Sequence, residues 1–486
     1  MLETDKQRDL QQRVKTRRLI RQALSVATFA VAVVVVPQAA KATPVSASGT
    51  TVTVDSNNNI STGGMLIDDE GVVAKNGGSV TLNGSTVSAD LIQNPNAVGD
   101  ARFYPKSGPA PNWNSVKYPS VTANGSGSTV TGNGITVDIT ATNGLVLALN
   151  GGQMDISNSS ITGTLADNDT LLYYYNITTA APNGVGVQTV LSQGAGSNIT
   201  LKDVNVTTTG HDNYYHSAGI TSQIEGSVSL GGNVTVESHG YRTYGISAEG
   251  WTTGGSIVND TNNPLILNIT TDGAESPGIF AYNAPSPTAT VLSNIDLDGT
   301  DRNYSSVTTN GINSPGVEVA NGSSVTLHNI TVNANGTGST SVFFDGTDTG
   351  NFTGDTVTLN GDIDGDSGYG AVSLINNSIL NGAVNLPNGS FSLDSSSTWN
   401  VTGDVVLNTF TNSGTYSFSP PANPTNPADY DTLTVNHFIA NPGSSIKVNI
   451  FADGENSLSN QLIINDDYSG ATTTIAKNFI NGYHAL

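Results

Sequence analysis

The sequence predicts an all-β chain, a right-handed parallel β-helix: a solenoid of stacked coils with loop insertions. Three observations predict it. A short phrase recurs along the chain. Apolar and polar residues alternate within that phrase. The composition is rich in Gly, Asn, Ser and Thr, with only 12% charged residues, about half the usual share for a soluble domain.

The phrase is clearest in two segments 245 residues apart. Gly71–Val87 reads GVVAKNGGSVTLNGSTV and Gly316–Val332 reads GVEVANGSSVTLHNITV, identical at ten of 17 positions. Partial copies lie at Gly144–Ile161, Gly196–Val206 and Gly219–Val236. Self-similarity of this kind marks a repeat architecture. Each unit holds three short β words: Gly-Val-x-Val, Ser-Val-Thr-Leu, and a third rich in Thr and Val. Alternation within each word turns one face inward and leaves the other wet. Gly and Asn between the words suit turns with positive φ. The second word ends at Leu82, Ile156, Leu201, Leu230 and Leu327, at intervals of 74, 45, 29 and 97 residues. Read as three, two, one and four coils, these intervals give about 24 residues per coil. Some 18 such coils, ~4.8 Å apart, predict a rod on the order of 90 Å long. The competing architecture, an antiparallel sandwich, does not repeat its sequence.

Breaks in the phrase predict segments that leave the shaft. Pro95, Pro105, Pro109, Pro111 and Pro119, with Phe103, Tyr104, Trp113 and Tyr118, mark an insertion near 90–120, because proline cannot donate into a ladder. Leu171–Tyr175 (LLYYY) and His211–His216 (HDNYYH) mark two more, and Ser419–Tyr430 reads as a linker or wide turn.

The N-terminus predicts export. Eight of the 17 basic residues precede Thr43, leading into the apolar run Ala23–Val36. Ala40-Lys41-Ala42 then fits a small-x-small cleavage site, so residues 1–42 read as a signal peptide with an extended basic n-region. The run is short for a membrane span of about 20 residues. Thr16–Arg21 carries a faint twin-arginine pattern, but the ordinary secretory machinery is the expected route. Beyond residue 42 only nine basic residues face 36 acidic ones, a formal charge of −27, which excludes nucleic acid as a partner. There is no cysteine; a long coil stack needs no disulfide staple.

Candidate chemistry is sparse. Gly365-Asp366-Ser367-Gly368 matches the nucleophile word of trypsin-like proteases, but a Gly/Asp turn explains it. Glu237, Ser238, His239 and Arg242 form the best cluster for a β-helix polysaccharide lyase or hydrolase. His211, Asp212 and His216 lack a recognised metal spacing. Asp362, Asp364 and Asp366 alternate as calcium ligands do, yet Gly365 and the missing distal Glu do not fit a calcium loop. The Asn-x-Ser/Thr triplets, such as Asn198–Thr200 and Asn329–Thr331, follow from composition. No catalytic residue, metal site or cofactor is assigned.

The C-terminal words are more specific. Leu393–Phe418 contains Trp399-Asn-Val-Thr-Gly403, Tyr430–Phe438 contains a Thr-Leu-Thr-Val word after Tyr430, and Ser457–Asp467 contains Gln461-Leu-Ile-Ile464. In this order they resemble the passenger end of pertactin-like autotransporters, over about 75 residues. The resemblance implies that this part folds first outside the cell, templates the remaining coils, and leads into an outer-membrane barrel. No barrel strands follow in this sequence, so a truncated or passenger-only product is expected. The expected organisation is a signal peptide at 1–42, passenger coils at 43–390, and an autochaperone-like cap at 391–486. The expected role, implied by the resemblance, is non-enzymatic adhesion, aggregation or display at the cell surface or beyond, or in the periplasm if truncated. A host-cell or matrix surface, or a second copy, would be the partner. The alternatives are a β-helix polysaccharide lyase or hydrolase, and a non-functional fragment.

Overall fold

The computed structural model describes residues 45–54, 59–61, 71–90, 121–141, 146–165, 187–210, 217–250, 253–284 and 291–480. Ala42–Leu486 form one compact unit. The expected signal peptide and the segments near 90–120, 171–175 and 211–216 lie wholly or almost wholly outside the described residues.

The chain is a parallel β-helix. One rung is typified by Val317–Ala320, Ser324–His328 and Thr331–Ala334, the three words of the sequence phrase. Each pairs in parallel with its equivalent in the next rung: Val317 with Val342, Ser324 with Asn351, Thr331 with Thr358. Three parallel sheets result, I, II and III after the three words. Right-handed coiling is the hand such crossovers take.

The phrase itself sets the corners. Its Asn-Gly pair, Asn76-Gly77 and Asn321-Gly322, has φ of 52°, 75°, 49° and 75°, so the chain turns from sheet I to sheet II in the left-handed region that Asn and Gly tolerate. A single left-handed residue, such as Gly84, Asn158 or Asn329, with φ of 60°, 49° and 54°, turns sheet II into sheet III.

The structure corrects the coil count. Leu82 pairs with Gly132 and Gly132 with Ile156, so two rungs separate Leu82 from Ile156, where three were expected. Ile156 pairs directly with Leu201, one rung where two were expected. From Leu230 the ladder runs through Asn259 to Leu297 and Leu327, three rungs where four were expected. The insertions inflate these intervals. The advance per rung ranges from 17 residues between Thr398 and Thr415 to 50 between Ser79 and Thr129. The described residues hold 15 rungs, a stack on the order of 70 Å.

The inward columns are continuous and dry. In sheet II, Val228, Ile257, Ile295 and Val325 stack in register and are fully buried. Towards the C-terminus the same column turns aromatic: Phe391, Phe410 and Phe438. Trp399 and Tyr416 of sheet III lie against it, with Trp399 and Phe410 ring centroids 5.4 Å apart at 89°. The Trp399 indole N–H donates to the Gly382 carbonyl at 2.8 Å, so the largest core side chain leaves no polar atom unmet. The Trp-x-x-Thr-Gly word is therefore a core element. The strand Val384–Leu393 runs across position 390, and Ser419–Tyr430 forms a wide turn with a short 3-10 segment at Pro427–Asp429.

The corner between sheets III and I carries a second repeated device. Gly273–Ser276, Gly311–Ser314 and Gly336–Ser339 share a Gly-x-x-Ser turn. Each serine hydroxyl donates to the carbonyl of the glycine one rung below: Ser276 to Gly240 at 3.0 Å, Ser314 to Gly273 at 2.8 Å, Ser339 to Gly311 at 2.9 Å. Each also accepts the N–H of the preceding rung's Thr243, Ser276 or Ser314. The glycines stack so closely that a Cβ at Gly311 would sit 1.7 Å from the Gly273 carbonyl oxygen. Gly311→Ala is expected to destabilise the stack by at least about 1–3 kcal/mol through overpacking, read as a lower urea midpoint. An unchanged midpoint would contradict the close approach.

Candidate functional site

In a parallel stack each outward side chain meets its equivalent one rung above and below. Like charges would then repel all along the rod. The structure answers this by setting acids against amides or backbone N–H groups. Asn329 donates to Asp298 at 2.8 Å, Asn376 to Asp355 at 3.0 Å and Asn385 to Asp364 at 2.9 Å. The backbone N–H of Ala383 donates to Asp362 at 2.7 Å. Asparagines also stack on one another, as in the ladder Asn333, Asn360, Asn381, Asn400, with 2.8, 2.8 and 2.7 Å links.

The sequence candidates fall into the same scheme. His239 contacts Asp272 at 2.7 Å, and Arg242 contacts Glu275 at 2.7 Å. Both partners belong to the next rung, so the Glu237–Arg242 cluster does not converge on a common point. The Tyr241 hydroxyl, donating at 2.8 Å, and the Arg242 guanidinium hold the Glu275 carboxyl below its ordinary range. His328 lies between Asp296 and Asp355, 3.4 and 3.3 Å away. His437 is hydrogen-bonded to Asp467, which raises its pKa. All three described histidines are thus engaged between rungs. Ser367 sits in a turn closed by Gly368 N–H to the Gly365 carbonyl at 2.9 Å. Asp362, Asp364 and Asp366 do not share a centre, and among the described residues no three His, Asp or Glu side chains converge as metal ligands. His211, Asp212 and His216 lie outside the described residues.

The exception to the scheme is the outward face of sheet I. Its outward column passes through Leu147, Leu191, Thr221, Ser247 and Phe280 in register. Thr221 and Ser247 are 0% exposed and Leu191 and Phe280 only 7%, although they point away from the coil interior. This face is a second buried surface. Glu249 is buried on it too, accepting from Gln223 at 3.0 Å and Ser247 at 2.8 Å. Tyr244, Phe280 and Tyr282 form an aromatic row, with centroids 4.8 and 5.8 Å apart.

At the edge of that row the column continues from Phe280 to Glu318 and then Phe343. Glu318 accepts no hydrogen bond among the described residues. Burial first, then the neighbouring carboxylates of Asp345 and Asp366, push it up to about 8. Burial and Asp366 raise Asp345 as well. Tyr244 is raised by burial and by Glu318. Here three carboxyl groups face one another beside aromatic rings, where every other acid described above has an amide, imidazole or guanidinium partner. Sequence reasoning missed this site. Its signal was present: in the Gly-Val-x-Val word, Glu318 occupies the position held by Val73 in the earlier copy.

The large interruptions of the stack border the same sheet. Residues 62–70, 91–120, 142–145, 166–186 and 211–216, and the turn at 419–431, all connect a sheet III strand to the next sheet I strand. The strands that flank them therefore meet at one corner, whereas the ten residues 284–293 connect a sheet I strand to a sheet II strand. No protein-family model matches the chain, and no curated protein matches it in sequence.

Glu318 gives a pH test with a definite sign. Its carboxyl titrates near 8 folded and near 4.5 otherwise, so its proton favours the fold. That contribution is complete below about pH 4.5 and lost as the pH rises through about 8. Glu318→Gln is expected to add roughly 1–3 kcal/mol at pH 9 and little at pH 4. Urea titrations at both pH values measure this, and an equal effect at each would refute the assignment.

Proposed function

We propose that this chain is an exported, non-enzymatic display rod, similar in plan to an autotransporter passenger, whose corner between sheets III and I holds binding segments away from the cell. The observation that carries the proposal is the placement of the interruptions. A solenoid tolerates insertions at any corner; here the largest ones occupy the same corner on successive rungs. Three of them are rich in aromatic residues in the sequence: Phe103, Tyr104, Trp113 and Tyr118; Tyr173–Tyr175; Tyr214 and Tyr215. Aromatic side chains dominate interface energetics, and connecting segments on a rigid scaffold commonly carry binding. The order of the Trp-x-x-Thr-Gly, Thr-Leu-Thr-Val and Gln-Leu-Ile-Ile words and the basic, then apolar N-terminus favour export and the pertactin-like comparison. The partner is then a host-cell or matrix surface.

The glycan-enzyme reading keeps one specific observation. A carboxyl held protonated near neutral pH beside two further carboxyl groups is the electrostatic arrangement of a glycosidase acid. It predicts new reducing ends from a bacterial or plant polysaccharide, abolished by Glu318→Gln. No release of reducing ends with intact protein removes this reading.

The display reading is tested by shortening one insertion. Residues 142–145 show that four residues suffice between a sheet III strand and the next sheet I strand. Replacing 91–120 with such a four-residue connector is expected to lower adhesion to matrix-coated surfaces at least tenfold, with an unchanged far-ultraviolet dichroism spectrum. Undiminished adhesion by the folded variant would overturn the assignment of binding to this corner.

A further inference from the structure

Three neighbouring acids on the sheet I side lack a side-chain partner on an adjoining rung. Glu318 stands in the outward column between Phe280 and Phe343. In the next outward column Tyr282, Ala320 and Asp345 follow one another. Asp366 lies just past the following sheet I strand, Ile363–Gly365, and is exposed. The three carboxyls act on one another as like charges, yet no lysine, arginine or histidine of the described residues pairs with any of them. Arg242 also acts on Glu318, less than the two aspartates do. Its guanidinium is committed to Glu275 at 2.7 Å and lies over the Tyr241 ring, 5.2 Å from the centroid. Glu318 is half-buried as a residue, and its carboxyl is the enclosed part. An enclosed carboxylate without a cation is costly, and further carboxyls beside it add to that cost. The cluster therefore points to a cation that the chain itself does not supply.

The spacing and the lining say what kind of cation. Among the described residues no three His, Asp or Glu side chains converge as metal ligands, so these carboxyls stand too far apart to coordinate one bare divalent ion. A guanidinium is planar and prefers both oxygens of a single carboxylate. An ammonium carries three N–H donors that reach separate acceptors, and its alkyl stem lies on apolar surface. Aromatic faces attract such a cation further. Phe280 and Phe343 flank Glu318 in its column, and Tyr282 is an electrostatic neighbour of Asp345. We infer that the outward face of sheet I around Glu318, Asp345 and Asp366 binds a primary alkylammonium group, supplied by a lysine side chain of a partner or by a polyamine. The inference needs neither the display reading nor the glycan-enzyme reading.

Binding moves one proton. The groups facing Glu318 are Asp345, Asp366 and Tyr244, with Arg242 and Glu275 from the two preceding rungs. Below about pH 8 the Glu318 carboxyl holds its proton in the empty site. The arriving ammonium keeps its own protons, and its charge takes the place of that one. The carboxyl releases its proton to the buffer and, as a carboxylate, accepts an N–H of the ammonium. Affinity therefore rises with pH and levels off above about pH 8, once the proton is already gone.

Titration calorimetry of the full chain tests this, with Nα-acetyl-lysine amide and spermidine as probes. The expected result is saturable binding of one or both, the tighter probe naming the source. Runs in two buffers of different protonation heat should count about one proton released at pH 7 and little at pH 9. Glu318→Gln should abolish the proton release and weaken binding at pH 9 at least about tenfold. Phe343→Leu should weaken binding about two- to fivefold and leave the proton release intact. Asp155→Asn, which removes an exposed acid of sheet II, should change neither. Reducing-end release is a separate readout, so this inference and the glycan-enzyme reading can fail independently. Absence of saturable binding by both probes overturns the inference, as does calcium uptake with the same proton release, or binding that Glu318→Gln leaves unchanged.

Discussion

Everything in this molecule depends on one constraint: each residue is hydrogen-bonded in parallel register to its equivalent one rung away. Register makes neighbours of residues some 20–50 positions apart, and it makes neighbours of like kind. An aliphatic residue stacked on an aliphatic one buries both, at ~25 cal/mol per Å² of apolar surface. A serine stacked in a Gly-x-x-Ser corner satisfies the N–H of one rung and the carbonyl of another. An asparagine stacked on an asparagine hydrogen-bonds along the column, since the amide both donates and accepts. An aspartate has no such option. It can only accept, and so it recurs against Asn, Ser, His or a backbone N–H. The low charge content and the abundance of Asn follow from that asymmetry.

The same constraint decided what the sequence could reveal. The Gly71 and Gly316 phrases were legible because stacking demands the same word on each rung, and the Asn-Gly pairs between words were legible because only a few residues tolerate the corner. The number of coils was not legible. Intervals between Leu82, Ile156 and Leu201 mix shaft with insertion, and nothing in the sequence marks where one becomes the other. Neighbourhood in sequence also misled. His239 and Arg242 stand three residues apart, yet each turns to an acid 33 residues onward. Asp362, Asp364 and Asp366 alternate like ligands, yet pleat and corner send the first two to different amide or N–H donors on the next rung. Glu318 is the readable exception, a charge at a position where another copy of the word has valine.

The core is graded along the rod. Early rungs stack Val, Ile and Leu, whereas the C-terminal rungs stack Phe391, Phe410, Phe438, Trp399 and Tyr416, with ring centroids 4.8–5.9 Å apart. Aromatic pairs contribute about 0.5–1.5 kcal/mol beyond their buried area. The advance per rung shortens to 17–21 residues between Ala371 and Thr415, so less chain is ordered for each rung gained there, and lengthens to 28–30 residues beyond it. Larger contacts and shorter closures act in the same direction. In a solenoid, where stability is a sum of rungs and interfaces, they place the firmest part of the stack in the aromatic rungs around Trp399 and Phe410, short of the last rung.

A rod of this kind has little freedom to build a pocket, because the inward face is filled and the outward face is dictated by stacking. Variation is cheap only where register is not at stake, and that is at the corners. The longest insertions fall at one corner, and the charge rule is broken on the sheet beside it. Phe280, Tyr282 and Phe343 surround carboxyls that elsewhere would have been given a partner, and the adjoining outward face is closed where a plain solenoid would leave it wet. A structural explanation for either feature alone is easy to find. Both lie on one sheet, bordering the corner where the longest insertions fall, and set that side of the stack apart from the other two.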